Sequence, residues 1–332
     1  MRHLAANALT ILIVLGIALA GVIAWGVNQY RAEGPLTEPT EVSIPRGASL
    51  PRAAEILAEA GAISDPRIFR LGARYGEMQA RIQAGEFEIP AGASMESVLR
   101  CLVDQSTCRR VIYQVTVVEG STSWQVVQQL NAIDTLTGEI TEIPPEGTLA
   151  PETYQTNRGD DRAAILKRMR DAQSAILETA WANRAEGLPI STPEEALILA
   201  SIIEKETGVP EERRRVASVF VNRLKRGMRL QTDPTVIYGI TEGKGVLGRG
   251  LTRSELDRRT DWNTYQIDGL PPTPIANPGR ASIEAAVNPL ETRDLYFVAD
   301  GSGGHAFAEN LGEHTRNVQK WRRIEAERRQ SQ

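Results

Sequence analysis

The N-terminal segment constrains the fold of this chain more than any other feature. No residue from Leu4 to Tyr30 is charged, and residues 9–30 read LTILIVLGIALAGVIAWGVNQY. A helix needs about 20 mainly apolar residues to cross the hydrocarbon core of a bilayer. The segment therefore predicts a transmembrane helix over residues 8–30, preceded by a short tail over residues 1–7.

A cleaved signal peptide is the alternative interpretation, because residues 18–20 read ALA, which resembles a cleavage site. The apolar run continues through Val27, which is longer than a signal peptide needs and favours an uncleaved anchor. The flanking Arg2 and Arg31 hardly decide the orientation. Since a single N-terminal anchor before a long polar chain usually exports that chain, we expect a cytoplasmic tail and an extracytoplasmic remainder.

Export makes Cys101 and Cys108 candidates for a disulfide bond. Two reduced thiols are the alternative, because the loop that the bond would close is short. No pair of His or Cys residues has the spacing of zinc ligands, so we expect no metal. No Gly-rich phosphate loop follows a strand, and we expect no cofactor. The net charge of −4 gives no support to nucleic-acid binding.

Residues 31–40 have the composition of a linker, and an internal repeat follows over residues 41–140. Its copies lie at residues 44–57, 89–102 and, more weakly, 117–130. Each copy has a short apolar strand, a glycine turn, a Ser or Thr that suits a helix N-cap, and an amphipathic helix; the turn glycines are Gly47, Gly92 and Gly120. The pattern resembles the LysM-like modules of cell-wall proteins, which implies sugar binding. A small α+β unit that only sets spacing and orientation is the alternative.

The second half of the chain, residues 141–332, is predicted to be mainly helical with a small β element. Amphipathic patterns and end signals predict three helices, at residues 161–187, 193–208 and 210–227. Residues 295–300 and 305–308 predict a β-hairpin around a Gly-rich turn, and a charged helix closes the chain. The whole chain is therefore predicted to be an α+β protein.

The end of the second helix, residues 198–208, reads ILASIIEKETG and carries two acids. At about 100° per residue, Glu206 falls in the middle of the apolar face, whereas Glu204 falls near its edge and Ser201 lies opposite. A buried carboxyl has a raised pKa and can act as a general acid. Fraying of the last turn, with Glu206 as a cap or in a salt bridge, is the alternative.

Three polar, Pro- and Gly-rich stretches follow this helix, at residues 229–239, 262–279 and 303–314. They supply amides, hydroxyls and aromatic rings, which are the groups that a sugar-binding groove uses. Because residues 229–239 pack Gln, Thr, Asp and Pro together, we expect neither a simple helix nor a simple strand there. Each of these residues could equally be a turn former at its preferred position.

From residue 198 onward the sequence resembles the membrane-bound endolytic murein transglycosylases, the MltG-type or YceG-like family. The stretches ILASIIEKETGVPEERRRVASVFVNRLKRGMRLQTDPTVIYG, NTYQIDGLPPTPIANPG and LYFVADGSGGHAFAENLGEH carry the resemblance. It implies an N-terminal anchor, a LysM-like region and a lysozyme-like catalytic domain. It also implies a bacterial inner-membrane protein that is single-pass, with its catalytic domain in the periplasm.

The resemblance implies that the second Glu of Glu-Lys-Glu, Glu206, is catalytic, which agrees with the helical-face argument. Such enzymes cleave peptidoglycan between N-acetylmuramic acid and N-acetylglucosamine without water and leave 1,6-anhydro ends. Asp233 and Glu152 are the candidates for a second carboxylate. The residues expected to line the groove are Glu152, Gln231, Thr232, Asp233, Tyr238, Asn263, Tyr265, Asn277 and His305.

Three hypotheses for the function are therefore open. The favoured one is a lytic transglycosylase that cuts nascent strands and terminates their growth, with peptidoglycan synthases as partners. The second is a hydrolytic muramidase. The third is a non-catalytic wall-binding or division scaffold that uses the repeats and the anchor.

Overall fold

The structure is a computed structural model that describes residues 2–45 and 47–330, without the side chains of residues 2–8 and 330. Met1 of the predicted tail, Arg46 of the first repeat copy and the last two residues of the predicted catalytic domain lie outside the described residues. The chain divides into two compact units, Met1–Tyr113 and Gln114–Gln332. The sequence placed the boundary between residues 140 and 141, and the functional assignment of the two parts stays a prediction.

Helix α1 spans Arg2–Arg31 and so includes most of the predicted tail. Residues Leu9–Arg31 have a mean hydropathy of 2.5, and by length and composition this part of the helix could cross a membrane. Its large apolar side chains are exposed, which a soluble helix of this kind would not tolerate. The helix thus fits the predicted anchor.

The last turn of α1 is packed into the first unit. The ring of Tyr30 lies against Gly72, where an added Cβ would come within 2.4 Å of the ring atom Cε2. Arg31 Nε lies 3.3 Å from Glu96 Oε2. These contacts join the helix directly to the folded module, before the irregular residues that precede the first strand.

The first unit is a three-stranded antiparallel sheet packed against helices. Its strands β1, β2 and β3 follow the order β1–β2–β3, with Val42 opposite Phe87. The core buries apolar side chains from the sheet and from every helix between the strands. The elements in chain order are β1 (Thr40–Ile44), α2 (Leu50–Glu59), α3 (Pro66–Tyr75), a 3₁₀ turn (Gln79–Arg81), β2 (Gly85–Ile89), α4 (Met95–Asp104) and β3 (Arg109–Val111).

A strand, a glycine turn and a helix follow one another at all three copies of the repeat. The strand of the third copy lies before its predicted start at residue 117, because β4 spans Tyr113–Thr116, and its helix α5 spans Ser123–Asn131. The three turn glycines have φ between +66° and +77°, a region that a side chain would strain. Ser94 accepts a hydrogen bond from the Ser97 N–H, and Thr122 forms a capping box with Gln125. Sugar binding by the repeat stays a prediction.

The third copy packs with the second unit. Val126 and Leu130 of α5 share a buried cluster with Ile165 and Met169 of the next long helix. Because this apolar face of α5 is covered from residues beyond the repeat, the compact unit begins at Gln114. The region of sequence repeats therefore crosses the boundary between the two compact units.

The second unit is mainly helical, with two small two-stranded sheets, β4–β5 and the antiparallel hairpin β6–β7. The three predicted helices and the hairpin are confirmed, with shorter helix bounds. The remaining elements are β5 (Thr153–Thr156), α6 (Arg162–Ala182), α7 (Pro193–Glu206), α8 (Arg213–Lys225), α9 (Asp233–Thr241), α10 (Arg253–Asp257), α11 (Arg280–Val287), β6 (Tyr296–Ala299), β7 (His305–Ala308) and α12 (Leu311–Gln330). The predicted α+β class is confirmed at this level.

The expectation that residues 229–239 contain no simple helix is wrong. Helix α9 begins at Asp233, with Thr232 at the N-cap position. Pro234 lies in the first turn, where its missing N–H leaves no hydrogen bond unmade. The cluster of Thr, Asp and Pro is thus a helix start.

Helix α7 is the centre of the second unit, since α6, α8, α9 and α11 all pack against it. Every residue from Ala196 to Ile203 is buried. Ser201, which the face argument placed opposite the apolar centre, is fully buried as well. Its hydroxyl donates to the Ile198 carbonyl at 2.7 Å and accepts from the Ile275 N–H at 3.0 Å, so the polar group costs little to bury.

Cys101 and Cys108 are joined by a disulfide bond, with their Cα atoms 5.2 Å apart. The bond is therefore formed, and the alternative of two reduced thiols is wrong. It connects α4 to the residue before β3 and closes a loop with a sequence separation of 7.

Reduction of this disulfide is expected to lower the free energy of unfolding by about 2 kcal/mol, because the open loop has more conformational freedom in the unfolded chain. Urea unfolding of the full chain with and without a thiol reductant measures the change. The Cys101→Ser/Cys108→Ser double variant is the control and should not respond to the reductant. Identical unfolding curves for the oxidised and reduced protein would contradict the expectation.

Candidate active site

A cavity of about 560 Å³ lies in the second unit, where α7 ends. The segment before α9 and the loop after α10 provide polar side chains, and the hairpin and α12 provide most of the apolar ones. The residues that line it are Glu206, Phe220, Arg223, Leu230, Gln231, Thr232, Asp233, Tyr265, Tyr296, Phe297, Val298, Leu311, His314 and Val318. Five of the predicted site residues are therefore brought together, with Glu206 among them.

Glu206 is the last residue of α7, and its half-buried carboxyl faces the cavity. The backbone turns to an extended conformation at Thr207, which fixes where the helix ends. Burial is the main cause of a raised pKa for Glu206, and the nearby Asp233 carboxylate adds to it. A hydrogen bond from Thr232 and the charges of other side chains oppose the rise. The carboxyl therefore holds its proton to a higher pH than an ordinary Glu.

Asp233 is the second carboxylate of the cavity. Its Oδ1 accepts a hydrogen bond of 2.6 Å from the Tyr265 hydroxyl. Burial, and then the hydrogen bond to Asp233, raise the pKa of Tyr265, so that the phenol stays protonated and remains a donor. An acid with a raised pKa thus lies beside an exposed carboxylate that is held by a tyrosine.

Arg223 is a functional candidate that the sequence reasoning missed. Its buried guanidinium donates to the carbonyls of Leu295 and Leu230, at 2.7 and 2.6 Å, and lies 5.3 Å from the ring centroid of Tyr296. Its charge opposes the rise in the pKa of Glu206. Nothing in the pattern RLKRG distinguishes this arginine from its neighbours, because only the tertiary packing buries it.

The apolar wall from the hairpin and α12 was also missed. Tyr296 stacks on His314 of α12, with ring centroids 5.0 Å apart. Burial is the main cause of a lowered pKa for His314, and the neighbouring Arg223 lowers it further. The Tyr-Phe-Val run of β6 is the one signal that could have placed aromatic side chains here.

His305 does not line the cavity but lies near it. Its backbone N–H and its Nδ1 contact the two oxygens of Glu212, at 2.9 and 2.7 Å. Its charge, when present, would lower the pKa of Glu206. Glu212 thus fixes the start of β7 beside the site.

The two predicted asparagines are structural and do not line the cavity. Asn263 is fully buried, and its amide donates to the carbonyls of residues 255, 256 and 258. Asn277 is fully buried too, accepting from the Leu149 N–H at 2.9 Å and donating to the Ser121 carbonyl at 3.0 Å. Irregular loops leave backbone groups without partners, and these amides satisfy them.

Tyr238, Glu152 and Glu204 also lie outside the residues that line the cavity. The Tyr238 hydroxyl donates to Glu146 at 3.3 Å, and burial raises its pKa to about 12. The Glu152 side chain is exposed, and its carbonyl accepts from the Val117 N–H. Glu204 accepts a hydrogen bond of 3.0 Å from the N–H of Gly279, the N-cap of α11. The side chains of Tyr238 and Glu204 therefore anchor neighbouring segments, whereas Glu152 contributes its backbone carbonyl.

Among the described side chains, those of residues 9–45 and 47–329, no group of three or more His, Cys, Asp and Glu could hold a metal ion.

The sequence profile of the YceG-like family matches residues 42–320. The chain belongs to the YceG-like family. The predicted recognition of this family is thus confirmed, and the match includes both units. It also includes Glu206 and the other residues that line the cavity.

Two curated relatives of this YceG-like protein are named endolytic murein transglycosylase. The Bacillus subtilis (strain 168) protein is 32% identical over 86% of this chain and 88% of its own length. The Streptococcus pneumoniae (serotype 2, strain D39) protein is 27% identical over 83% of this chain, and the chain spans 57% of its length. A crystal structure of a YceG-like protein from Listeria monocytogenes is similar with a TM-score of 0.52 and 28% identity, covering 84% of this chain and 98% of that one.

Replacement of Asn277 by Ala is expected to destabilise the second unit by about 2 kcal/mol, since it leaves the buried Leu149 N–H without its acceptor and removes the side-chain hydrogen bond to the Ser121 carbonyl. Thermal unfolding of the full chain measures the loss. The exposed Asn183, at the C-cap of α6, provides the matched control Asn183→Ala, which should unfold close to the wild type. A stable Asn277→Ala protein with weakened glycan binding would instead restore Asn277 to the groove.

Proposed function

We propose that this protein is a membrane-anchored endolytic lytic transglycosylase that cleaves peptidoglycan strands, with Glu206 as its general acid and then its base. The observation that carries the proposal is the carboxyl of Glu206, which faces a cavity and has a pKa raised by burial. The predicted enzyme class, a lyase acting on peptidoglycan, is confirmed by family membership and by the relatives named endolytic murein transglycosylase.

In the first step, neutral Glu206 donates its proton to the glycosidic oxygen between N-acetylmuramic acid and N-acetylglucosamine. The bond from the muramyl anomeric carbon to that oxygen breaks as the proton transfers, and positive charge develops on the muramyl ring. The exposed Asp233 carboxylate is placed in the same cavity to stabilise that charge. A raised pKa suits the first role of Glu206, because the group must carry a proton when the strand binds.

In the second step, the Glu206 carboxylate accepts the proton of the muramyl 6-hydroxyl. The oxygen of this hydroxyl attacks the anomeric carbon as the proton leaves. The product ends in 1,6-anhydromuramic acid, and Glu206 is again neutral. Glycoside hydrolases usually need two carboxyl groups, one of them to activate water or attack the sugar. An intramolecular hydroxyl removes that need, so one proton-transferring carboxyl is enough.

A hydrolytic muramidase is the second candidate, and Asp233 is the observation that favours it. As a second carboxylate in the cavity, Asp233 could activate a water molecule. The Tyr265 hydroxyl donates to Oδ1 of Asp233, and Oδ2 does not take part in that hydrogen bond. The chemistry of the new glycan end separates the two reactions.

The arrangement along the chain completes the proposal. Residues 8–30 anchor the protein in the bacterial inner membrane, and residues 31–40 lead to a LysM-like region over residues 41–140 that binds glycan. Residues 141–332 form the lysozyme-like catalytic domain in the periplasm. This placement suits an enzyme that cuts nascent strands beside peptidoglycan synthases and terminates their growth. A non-catalytic scaffold would have no use for an acid of this kind.

Digestion of purified glycan strands is expected to give 1,6-anhydromuramic ends, because the 6-hydroxyl takes the place of water. Mass spectrometry of the products in H₂¹⁸O measures this, since a hydrolysed end is one water heavier and carries ¹⁸O. A muramidase digested in parallel is the control for label incorporation. Labelled reducing ends in the products of this protein would support the muramidase instead.

Glu206→Gln is expected to lose cleavage by about 10³-fold, because the amide cannot donate or accept the proton. The rate of appearance of new glycan ends measures the loss. Glu204→Gln is the matched control, two residues away on the same helix, and should keep near-wild-type activity because its amide oxygen still accepts from Gly279.

Glycan pull-down with the same two variants addresses the scaffold hypothesis. Glu206→Gln should still bind strands. Full cleavage by Glu206→Gln would refute the catalytic assignment.

A further inference from the structure

The hydroxyl of Thr232 contacts the catalytic candidate directly. It donates a hydrogen bond to Oε1 of Glu206. In the described part of the chain, no other side-chain donor hydrogen-bonds this carboxyl. Thr232 is only 3% exposed, so its hydroxyl is poorly placed to read a sugar in addition. Sequence reasoning placed Thr232 in the groove as a substrate contact, whereas its hydrogen bond points to a different role.

Thr232 is held in place by buried hydroxyl groups of two other threonines. Its N–H donates to Thr264 Oγ1 at 3.0 Å, and its carbonyl accepts from Thr235 Oγ1 at 2.8 Å. Thr235 and Thr264 are fully buried, and their Oγ1 atoms lie 2.9 Å apart. The preceding Gln231 has a φ of +50°, an uncommon conformation that its N–H stabilises by donating to the Thr264 carbonyl at 3.1 Å. The backbone at Thr232 is therefore fixed from both sides.

We propose that Thr232 is a positioning residue, whose hydroxyl holds Oε1 of Glu206 so that Oε2 is the oxygen that donates and later accepts the proton. The inference rests on the proposed function and deepens it. A neutral carboxyl has one O–H, and an oxygen that accepts from Thr232 is best left without that proton. The three-threonine network, Thr232, Thr235 and Thr264, thus selects one of two chemically equivalent oxygens.

The proton balance of the reaction follows this selection. In the first step the proton leaves Oε2 for the glycosidic oxygen, while the bond from that oxygen to the anomeric carbon breaks. In the second step the proton of the 6-hydroxyl moves to Oε2, while the new bond to the anomeric carbon forms. Hydrogen bonds to an ionised acceptor are stronger than those to a neutral one, so the Thr232 hydroxyl also stabilises the carboxylate between the two steps.

Other charged groups face Glu206 from the surrounding elements and would contribute to its titration. They are Asp233 of α9, Arg223 of α8 and His305 of β7. Asp233 disfavours the carboxylate, whereas Arg223 and protonated His305 favour it. A test of Thr232 must therefore leave these three charged side chains unchanged. A substitution of Thr232 alone, the N-cap residue of α9, meets this condition.

Thr232→Val keeps the shape of the side chain and removes only its hydroxyl. Loss of a hydrogen bond to the carboxylate raises the pKa of Glu206, and the group is active in the free enzyme while protonated. The alkaline limb of the kcat/KM profile should therefore move up by about 1 pH unit. We also expect kcat to fall about tenfold with KM nearly unchanged, because the acid loses its orientation. The full chain acting on glycan strands provides both measurements.

Thr232→Ser should restore the wild-type limb and most of kcat, since it returns the hydroxyl. Thr241→Val is the matched control at the other end of α9, where the hydroxyl donates to the Ile237 carbonyl and accepts from the Gly243 N–H, with no contact to Glu206. This variant should leave the profile unchanged. Thr232→Ala carries the same expectation as Thr232→Val and replaces it if the melting curve shows that valine is not tolerated.

A second measurement does not depend on the reaction. The ¹³Cδ resonance of Glu206, assigned by its absence in Glu206→Gln, should titrate at higher pH in Thr232→Val than in the wild type. An unchanged limb and an unchanged titration would overturn the inference while leaving an inactive Glu206→Gln, and hence the proposed function, intact. Continued cleavage by Glu206→Gln would overturn the proposed function itself.

Discussion

The burial of helix α7 on all sides is the constraint on which the candidate site depends. Four helices enclose α7, so its polar groups must either be satisfied internally, as Ser201 is, or lie at its end. Glu206 is the last residue of the helix and faces a cavity of about 560 Å³. Burial makes an ionised carboxylate costly and raises the pKa of Glu206. The hydrogen bond from Thr232 and the charge of Arg223 stabilise the carboxylate and reduce that cost.

Elements with a strong local signal could be predicted from the sequence. The long N-terminal helix follows from an uncharged apolar run, and the repeats follow from Gly47, Gly92 and Gly120, each of which adopts a positive φ before a helix. The position of Glu206 also followed, although for a partly incorrect reason. The face argument assumed an exposed side of α7, and the buried Ser201 shows that the helix has none near its centre.

Features that arise from tertiary packing could not be predicted in the same way. Asn263 and Asn277 look like sugar ligands in a Pro- and Gly-rich sequence, but such loops need buried amides for their own backbone groups. Arg223 and His314 lie in ordinary charged helices, and only in the folded chain does Tyr296 of β6 contact both of them beside the cavity. Cys101 and Cys108 could be named as candidates, whereas their pairing depends on the 5.2 Å between their Cα atoms.

The contact between Tyr30 and Gly72 has a consequence for how the protein reaches its substrate. The Tyr30 ring packs on a residue without a side chain, next to the Arg31–Glu96 ion pair, so the end of α1 is held against α3 and α4 of the first module. On the proposed membrane topology, the anchor and this module move as one body. On that topology, the length of α1 determines the distance between the first module and the lipid surface. A larger residue at position 72 would meet the Tyr30 ring and would disturb this packing without changing any residue that lines the cavity.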